Sequence, residues 1–182
     1  MKIATLKIAF FLLAISFTNC SKDEASLPSL QQLPPMTQVG ANTVGCLVNG
    51  EVLLPKGSNP VRNPITTCFY QFVNNQWNFS LGFSNNEKEN LRGINLASKN
   101  IILKEGITYN LVLDNNNSAF ATYFNFGTPD FITTSEVKGK LTIDKLDTGK
   151  SIISGTFWFN AINANGEKIE IRNGRFDMQY SQ

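Results

Sequence analysis

From residue 44 to the C-terminus, apolar side chains recur at every second position. A β-strand with one buried face requires this period of two, because successive side chains point to opposite faces of a sheet. The aromatic and β-branched residues that fill these positions are those that strands favour. The clearest apolar faces are Trp77, Phe79, Leu81 and Phe83; Ile107, Tyr109, Leu111 and Leu113; Phe120, Thr122, Phe124 and Phe126; Ile153, Gly155, Phe157, Phe159 and Ala161; and Phe176, Met178 and Tyr180.

Short polar turns separate the apolar runs. Asn49-Gly50, Asn165-Gly166 and Asn173-Gly174 each tolerate the positive φ that two-residue hairpin turns require. The pattern predicts strands at 44–49, 51–54, 67–73, 76–84, 91–97, 107–113, 119–126, 136–145, 151–161, 167–173 and 175–181. The one helical turn it suggests lies near residues 87–90. We therefore expect residues 44–182 to form a single all-β domain of antiparallel meanders, either a β-sandwich or a β-barrel.

The chain begins with a different pattern, in which Lys2 and Lys7 precede an apolar run at 8–17. A helix of that length spans about 15 Å, half of a bilayer core of about 30 Å, so the run is typical of a secretory signal peptide. Residues 18–21, Thr-Asn-Cys-Ser, resemble the lipobox of bacterial lipoproteins. The resemblance implies that residues 1–19 are removed and that Cys20 carries lipid chains, such as palmitate, on its thiol and its new amine.

Lys22, Asp23 and Glu24 follow directly. They look like the signal that exports Bacteroidota lipoproteins to the outer face of the outer membrane, and a solvated start of a tether is the alternative. Residues 20–43 are rich in Pro, Ser and Gln and show no period, which predicts a tether that holds the folded domain clear of the membrane.

Composition narrows the chemistry further. The 182 residues include no histidine, which excludes Ser-His-Asp and Cys-His nucleophile systems and any site that binds zinc or haem through histidine. Loss of residues 1–19 removes two of the 16 basic residues and none of the 14 acidic ones, so the mature chain has no net formal charge. Its charges are scattered singly, and we expect no nucleic-acid partner.

Cys46 and Cys68 remain after the lipobox cysteine. Outside the cytoplasm such a pair can oxidise to a disulfide, and two buried free thiols are the alternative. Neither thiol is a candidate nucleophile, because no histidine is available to activate it.

Two aromatic residues are candidates for ligand binding. By alternation, Trp158 lies on the face opposite Phe157 and Phe159, among polar residues, where its ring could stack on a sugar; a place in a second core or over a barrel end is the alternative. Tyr123 is the second candidate. The loop at 125–134, rich in aromatic and small polar residues, is a candidate rim for the same ligand.

Candidates for catalysis and metal binding are weak. A hydrolase would need two carboxylates held a few ångströms apart, and the candidates, expected to be solvated turn and edge residues, are Glu87, Glu89, Asp144, Asp147, Glu167 and Glu170. Residues 114–118, Asp-Asn-Asn-Asn-Ser, offer clustered oxygens but lack the alternating acids and the final Glu of a calcium loop. We expect no catalytic activity, no cofactor and no metal.

Three short segments carry a family resemblance: GCLVNG at 45–50, SGTF at 154–157 and NGRFD at 173–177. Together they resemble an uncharacterised family of Bacteroidota lipoproteins, a domain of unknown function, over residues 44–182. These motifs consist of structural glycines and core aromatics. The resemblance therefore implies an all-β fold and supplies neither a substrate nor a site.

We expect a lipoprotein anchored in the outer membrane and facing the cell exterior, with the periplasmic face as the alternative. Its expected role is non-catalytic capture of a glycan or another ligand. The alternative role is that of a structural or assembly subunit that binds another envelope protein. One fold of this kind hosts many functions, so the fold itself does not choose between them.

Overall fold

The computed structural model describes residues 29–57, 65–87, 91–113 and 117–182. Within these ranges the regular structure is a short 3-10 helix (Ser29–Gln32) and eleven β-strands. The strands are β1 (Thr43–Val48), β2 (Glu51–Leu53), β3 (Thr66–Val73), β4 (Gln76–Asn85), β5 (Arg92–Lys99), β6 (Thr108–Leu111), β7 (Ala119–Asn125), β8 (Phe131–Ile132), β9 (Gly139–Asp147), β10 (Ile152–Ile162) and β11 (Lys168–Gln179). Among the described residues, no helix is long and apolar enough to cross a membrane.

Five strands close into a small barrel. β9 pairs with β10 on one side and with β6 on the other. β6 and β8 pair with the same edge of β7, and β8 closes the ring by pairing with β10. The β6–β7 pair is parallel and the other four are antiparallel. The predicted all-β single domain is confirmed, in its barrel form.

The remaining strands extend the sheet beyond the barrel, so that its order is β2-β1-β11-β10-β9-β6-β7-β5-β4-β3. The extended sheet folds back on itself at two points. Lys56, just after β2, bridges to Asn85 in β4, and Phe69 in β3 bridges to Ser181 near the C-terminus. One rolled sheet therefore encloses one core, as alternating strands with a single apolar face require.

The core consists largely of the inward-facing residues that the alternation identified, but Ile107 and Leu113 of the predicted face at 107–113 are 45% and 47% exposed. Phe79, Leu81 and Phe83 of β4 are buried, and Trp77 packs against them at the edge of the core. Every residue of the predicted inner face of β10 is buried, and so are Phe176 and Met178 of β11 and Tyr180 just after it. The period of two thus predicted the orientation of these strands correctly.

The predicted inner face of β7 is wrong. The structure buries Ala119, Ala121 and Tyr123, while Phe120 and Phe124 are half-buried on the outer face. The ring of Phe124 lies against Gly93 of β5, where a Cβ would come within 2.5 Å of it. The small alanines suit a crowded interior, and the bulky phenylalanines cover the neighbouring backbone from outside.

The predicted turn at Asn173-Gly174 is also wrong, because both residues lie inside the single strand β11. Gly45 pairs with Arg175 but Leu47 pairs with Arg172, so one extra residue of β11 faces β1. The register against β10 shifts at the same place. The left-handed φ of Asn173, 53°, serves a β-bulge here, since strands on both sides prevent the chain from reversing.

The predicted candidate rim, residues 125–134, is only partly a loop. Phe131 is buried, and Phe131–Ile132 form the strand β8 that closes the barrel. The fully buried hydroxyl of Thr133 accepts a hydrogen bond from the amide of Ala121 and donates one to its carbonyl. This segment is therefore a part of the sheet as well as of the surface.

The last part of the predicted tether packs on the domain. Leu33 is buried, and Thr37, Val39, Gly40 and Ala41 are held by hydrogen bonds to Asp177 of β11. We call residues 33–41 the strap. Residues 33–41 of the predicted tether therefore belong to the folded part.

Candidate functional site

The register of four adjacent strands builds a polar row across the outer face of the barrel. Thr156 of β10 lies opposite Thr142 of β9 on one side and Arg175 of β11 on the other. Thr142 in turn lies opposite Thr108 of β6, and their hydroxyls share a hydrogen bond of 2.9 Å. Directly opposed side chains of neighbouring strands are about 5 Å apart, so these four form one continuous surface.

A second row runs beside the first. Trp158 of β10 lies opposite Lys140 of β9, and Lys140 lies opposite Asn110 of β6. On the other side of Trp158 stands the bulge of β11, with Arg172 and Asn173. Trp158 is 40% exposed although large aromatic side chains are mostly buried, so its ring presents a flat apolar surface among polar neighbours.

Together the two rows line a groove of about 450 Å³, which we call the Trp158 groove. Met36 of the strap forms one wall. Sites for small ligands have volumes of about 300–1,000 Å³ and combine apolar surface with a few placed polar groups. The lining residues are Met36, Thr108, Lys140, Thr142, Thr156, Phe157, Trp158, Arg172, Asn173, Gly174 and Arg175.

Arg172 fixes the position of the indole ring. Its guanidinium carbon lies 5.5 Å from the centroid of Trp158, within the range of a cation–π contact. Its Nη1 donates to the carbonyls of Phe159 and Ile171, at 3.1 and 2.9 Å, and its Nη2 lies 3.3 Å from the carboxylate of Glu170. These partners hold Arg172 in place, so it acts on the groove mainly by orienting Trp158.

The strap borders a second depression that continues the Trp158 groove. This depression has a volume of about 440 Å³ and shares Met36, Thr156 and Arg175 with the first. Asp144 lines its far end, and burial raises the pKa of that carboxyl. The two depressions form a trough that crosses β9, β10 and β11 beside the strap.

Asp177 holds the strap against this trough. Its carboxylate is buried and accepts hydrogen bonds from the Thr37 hydroxyl at 2.6 Å and from the amides of Val39, Gly40 and Ala41 at 2.7–3.2 Å. Burial raises the pKa of Asp177, but the four hydrogen bonds favour the ionised form more strongly, so the pKa lies below its usual range. The strap is thereby a fixed wall of the groove.

The second predicted ligand-binding residue, Tyr123, lies elsewhere and is buried. Its ring packs against Phe131, and its hydroxyl lies beside the guanidinium of Arg92, which pairs with Glu51 at 3.3 Å. Burial raises the pKa of the Tyr123 hydroxyl, and the charge of Arg92 opposes this effect. Tyr123 floors a shallow depression on the far side of the barrel, so the structure does not bring it together with Trp158.

The candidate rim does border that depression. Asn125, Thr128 and Phe131 line it, and Phe126 is 75% exposed at its edge. The charges there compensate each other through the pair of Arg92 and Glu51. This depression is therefore less suited than the Trp158 groove to hold a charged ligand.

Cys46 and Cys68 are free thiols in the structure, on β1 and β3. Of the two alternatives, the structure thus contains the unbridged pair. Burial raises the pKa of the Cys46 thiol well above its usual range and that of Cys68 to about 12. Both remain protonated at neutral pH, which makes them poor nucleophiles and poor metal ligands.

Each candidate carboxylate that the structure describes, apart from Asp144, has a partner of its own. Glu167 lies in the β10–β11 turn and accepts a hydrogen bond from the side chain of Asn163, whereas Glu87 lies 3.7 Å from Lys56. Glu170 pairs with Arg172 as described, and Asp147 accepts hydrogen bonds from the amides of Gly149 and Lys150. In the described part of the chain, no group of three or more Cys, Asp or Glu side chains could hold a metal ion.

Several predicted features lie outside the described residues. They are the signal peptide, Cys20, the export signal Lys22, Asp23 and Glu24, residues 88–90 with Glu89, and residues 114–116 of the asparagine-rich turn.

The sequence reasoning missed the role of Lys140, Arg175 and the strap. A signal for the arginine was present, because Arg175 and Asp177 alternate with the core residues Phe176 and Met178 and so must point outward. What the sequence does not show is the strand order β6-β9-β10-β11, which places residues up to 67 positions apart, Thr108 and Arg175, in one row.

A family model described as a domain of unknown function (DUF6252) matches residues 71–178. No curated protein and no solved structure matches the chain.

Proposed function

The chain belongs to DUF6252, a family of domains of unknown function, and for this member we propose a non-catalytic ligand-binding module that is lipid-anchored in the outer membrane and faces the cell exterior. One observation carries the proposal. Trp158, 40% exposed, lies in a groove of about 450 Å³ that combines the apolar side chains of Met36 and Phe157 with threonine hydroxyls, an asparagine amide and basic side chains. A flat apolar ring among hydroxyl, amide and cationic groups is the arrangement by which proteins hold saccharides and other small amphipathic ligands.

The chemistry of the groove favours binding over catalysis. Its lining contains threonine hydroxyls, an asparagine and basic side chains, and it contains no carboxylate, thiol or imidazole that could exchange a proton near neutral pH. Asp144, in the adjoining depression, is the nearest acid among the residues that line the trough. A single carboxylate does not supply the acid–base pair that glycoside hydrolysis needs.

The proposed anchoring rests on the sequence. The lipobox with Cys20 and the following Lys22, Asp23 and Glu24 support a lipid anchor and surface export. Extracellular glycans are then the ligands to which the groove has first access.

The experiment that tests this function compares two variants on glycan and peptide arrays. Trp158→Ala removes the exposed ring of the groove, and Phe126→Ala removes the exposed ring on the far side of the barrel. We expect Trp158→Ala to weaken any binding by at least about tenfold, as for an aromatic side chain that the bound ligand covers. We expect Phe126→Ala to leave the binding unchanged. If the wild-type protein binds a ligand and Trp158→Ala binds it equally well, the groove is not the site.

One observation favours the second candidate function, a subunit that binds another envelope protein. β3 is the last strand of the sheet order, and beyond its bridge to Ser181 its outer edge carries Phe72 and Val73, which are 56% and 43% exposed. An exposed apolar strand edge is a surface on which another strand can pair. This function predicts a stable partner in gently solubilised envelopes, whereas ligand capture requires none.

A further inference from the structure

We infer that the Trp158 groove selects acidic saccharides, that is, sugars that carry carboxylate or sulfate groups. The inference rests on the proposed function and names the class of ligand for the same site. Its basis is the distribution of charge around the indole ring, together with the row of hydroxyls beside it.

The groove carries positive charge that the described residues do not neutralise. Lys140, Arg172 and Arg175 line it, and no acidic residue does. Arg172 is paired with Glu170, but among the described residues neither Lys140 nor Arg175 has a carboxylate within 4 Å. Two cations that face one groove and lack counter-charges create a local potential that attracts anions, even on a chain of little net charge.

The two cations stand on opposite sides of the ring. Lys140 lies opposite Trp158 on β9, and Arg175 lies opposite Thr156 on β11, so one strand separates them. Two strand spacings of about 4.8 Å and an offset of two residues along the strand, about 6.6 Å, place their backbones roughly 12 Å apart, and both side chains are long enough to reach toward the centre. A ligand that stacks on Trp158 can therefore contact a cation at each end.

Arg175 retains donors for an anion. Its Nε donates to the carbonyl of Asn173 at 3.5 Å, and its Nη1 donates to the carbonyl of Pro34 in the strap at 3.3 Å. Among the described residues, Nη2 of Arg175 has no hydrogen-bond acceptor. A guanidinium that the backbone holds on one side presents its remaining N–H groups in a fixed direction, which suits carboxylate and sulfate oxygens.

The remaining lining favours a saccharide over an acidic peptide. Thr108, Thr142 and Thr156 form a row of hydroxyls across three strands, and each can donate or accept a hydrogen bond. A sugar ring offers a flat apolar face to the indole and hydroxyls to this row at the same time. A peptide of acidic residues offers carboxylates but no such ring.

The test uses matched ligands and a single fluorescent reporter. In a Trp77→Phe background, Trp158 is the one tryptophan left, and its emission is followed on titration with trigalacturonate, a chondroitin sulfate tetrasaccharide, fully methyl-esterified trigalacturonate, cellotetraose and a hexaglutamate peptide. We expect at least one of the two acidic saccharides to bind saturably and at least about tenfold more tightly than the ester or cellotetraose, a gap that narrows as salt screens the charges.

Three variants of the groove and one control variant assign the effect to its residues. Lys140→Gln and Arg175→Gln should each weaken acidic saccharide binding severalfold, Arg175→Lys should restore part of it, and the exposed Lys150→Gln on the β9–β10 turn should not change it. Comparison of the chondroitin sulfate tetrasaccharide with its desulfated form, which keeps the carboxylates, then shows whether sulfate adds to the affinity.

Three outcomes would overturn the inference. Equal binding of trigalacturonate and its methyl ester would show a groove without charge selectivity. Loss of both with Trp158→Ala, followed by titration calorimetry because that variant lacks the fluorescent reporter, would leave the proposed binding function intact. Hexaglutamate binding as tight as that of the best saccharide would make the ligand a peptide. No response to either acidic saccharide at millimolar concentration would refute the acidic class, and the array comparison would then decide the proposed function separately.

Discussion

Asp177 is a buried carboxylate that hydrogen bonds hold without a neighbouring cation among the described residues. Three consecutive amides, of Val39, Gly40 and Ala41, converge on it together with the Thr37 hydroxyl. The left-handed φ of Gly40, 73°, lets its amide turn toward the carboxylate, and a Cβ there would lie 2.9 Å from the side chain of Gln179. One side chain of β11 thus decides where the strap lies, and through the strap it shapes the groove.

Asp177→Asn tests this role. The amide keeps one acceptor but turns an NH2 donor toward groups that are donors themselves, so we expect a loss of about 2–3 kcal/mol of unfolding free energy at pH 7. Hydrogen exchange at Val39, Gly40 and Ala41 should accelerate before the rest of the domain is affected. The exposed Asp130→Asn serves as the control, and we expect it to change stability by less than about 0.5 kcal/mol.

The same variant should change the pH dependence of stability. Because the folded-state pKa of Asp177 lies below its unfolded-state value, the carboxylate contributes fully above about pH 4 and loses its contribution as the pH falls through the folded-state value. Urea unfolding between pH 7 and pH 2 should therefore show a steeper acid loss in the wild type than in Asp177→Asn. Identical acid profiles would contradict the role of the charged carboxylate.

At the scale of a residue, the sequence predicted Trp158 correctly and Tyr123 incorrectly as a surface aromatic. Both residues lie in strands with an alternating pattern. In the middle of β10 one face is polar apart from Trp158, so the buried face is evident from the sequence. In β7 one face carries phenylalanine and threonine and the other carries alanine and Tyr123, so hydrophobicity points to the wrong face. Hydrophobicity favours burial of the phenylalanines. The space available inside the barrel favours burial of the alanines instead, and the local sequence carries no information about the size of that space.

At the scale of an element, the same dipeptide has two outcomes in this chain. Asn49-Gly50 has positive φ at both residues, 48° and 86°, and turns the chain between β1 and β2. Asn173-Gly174 lies within β11 and forms a bulge, because β1 and β10 pair with the strand on both sides of it. The dipeptide permits a local left-handed residue, and the neighbouring strands determine what that residue is used for.

Close packing at the bulge explains why residue 174 is a glycine. A Cβ on Gly174 would lie 2.4–2.5 Å from the ring of Phe157, the buried residue that pairs with it on β10. Gly174→Ala should therefore cost about 1–3 kcal/mol of unfolding free energy through overpacking, as measured by urea or thermal unfolding. Gly149→Ala, on the exposed β9–β10 turn with its nearest neighbour at 3.4 Å, should cost much less.

A second substitution distinguishes steric crowding from loss of backbone freedom at this position. If the ring of Phe157 causes the cost, Phe157→Leu should recover part of the stability lost in Gly174→Ala, and the two changes should be non-additive. Additive losses would show that Gly174 is needed for its backbone conformation and not for its size.

At the scale of the whole molecule, the strap would limit how far a lipid on Cys20 lets the domain stand from the membrane. The described chain begins at Ser29, and eight residues, 21–28, lie between it and Cys20. The nine steps from one Cα to the next between Cys20 and Ser29 span at most about 30 Å when the chain is fully extended. A lipid on Cys20 would thus keep the domain close to the bilayer, and the Trp158 groove would meet ligands that lie near the cell surface.

Surface display itself is the prediction at this scale. On intact cells, we expect an added protease or antibody to reach the domain in the wild type and to lose access when Lys22, Asp23 and Glu24 are all replaced by alanine. A periplasmic marker that stays protected in both strains controls for leakage. Protection of the domain in both strains would place it in the periplasm and would favour a partner in the envelope over an extracellular ligand.

Local chemistry along the chain was sufficient to predict the all-β domain, the inner faces of β4, β10 and β11 and the outward position of Trp158. These features depend on the period of two and on residue size, which neighbours along the chain already express. The closure of the barrel by β8, the bulge in β11, the buried face of β7 and the strap on Asp177 depend on residues brought together from distant parts of the chain. The groove belongs to both groups. Its indole ring and two cations lie on the consecutive strands β9, β10 and β11, whereas Thr108 joins them only through the non-sequential pair of β6 and β9, and Met36 only through the strap.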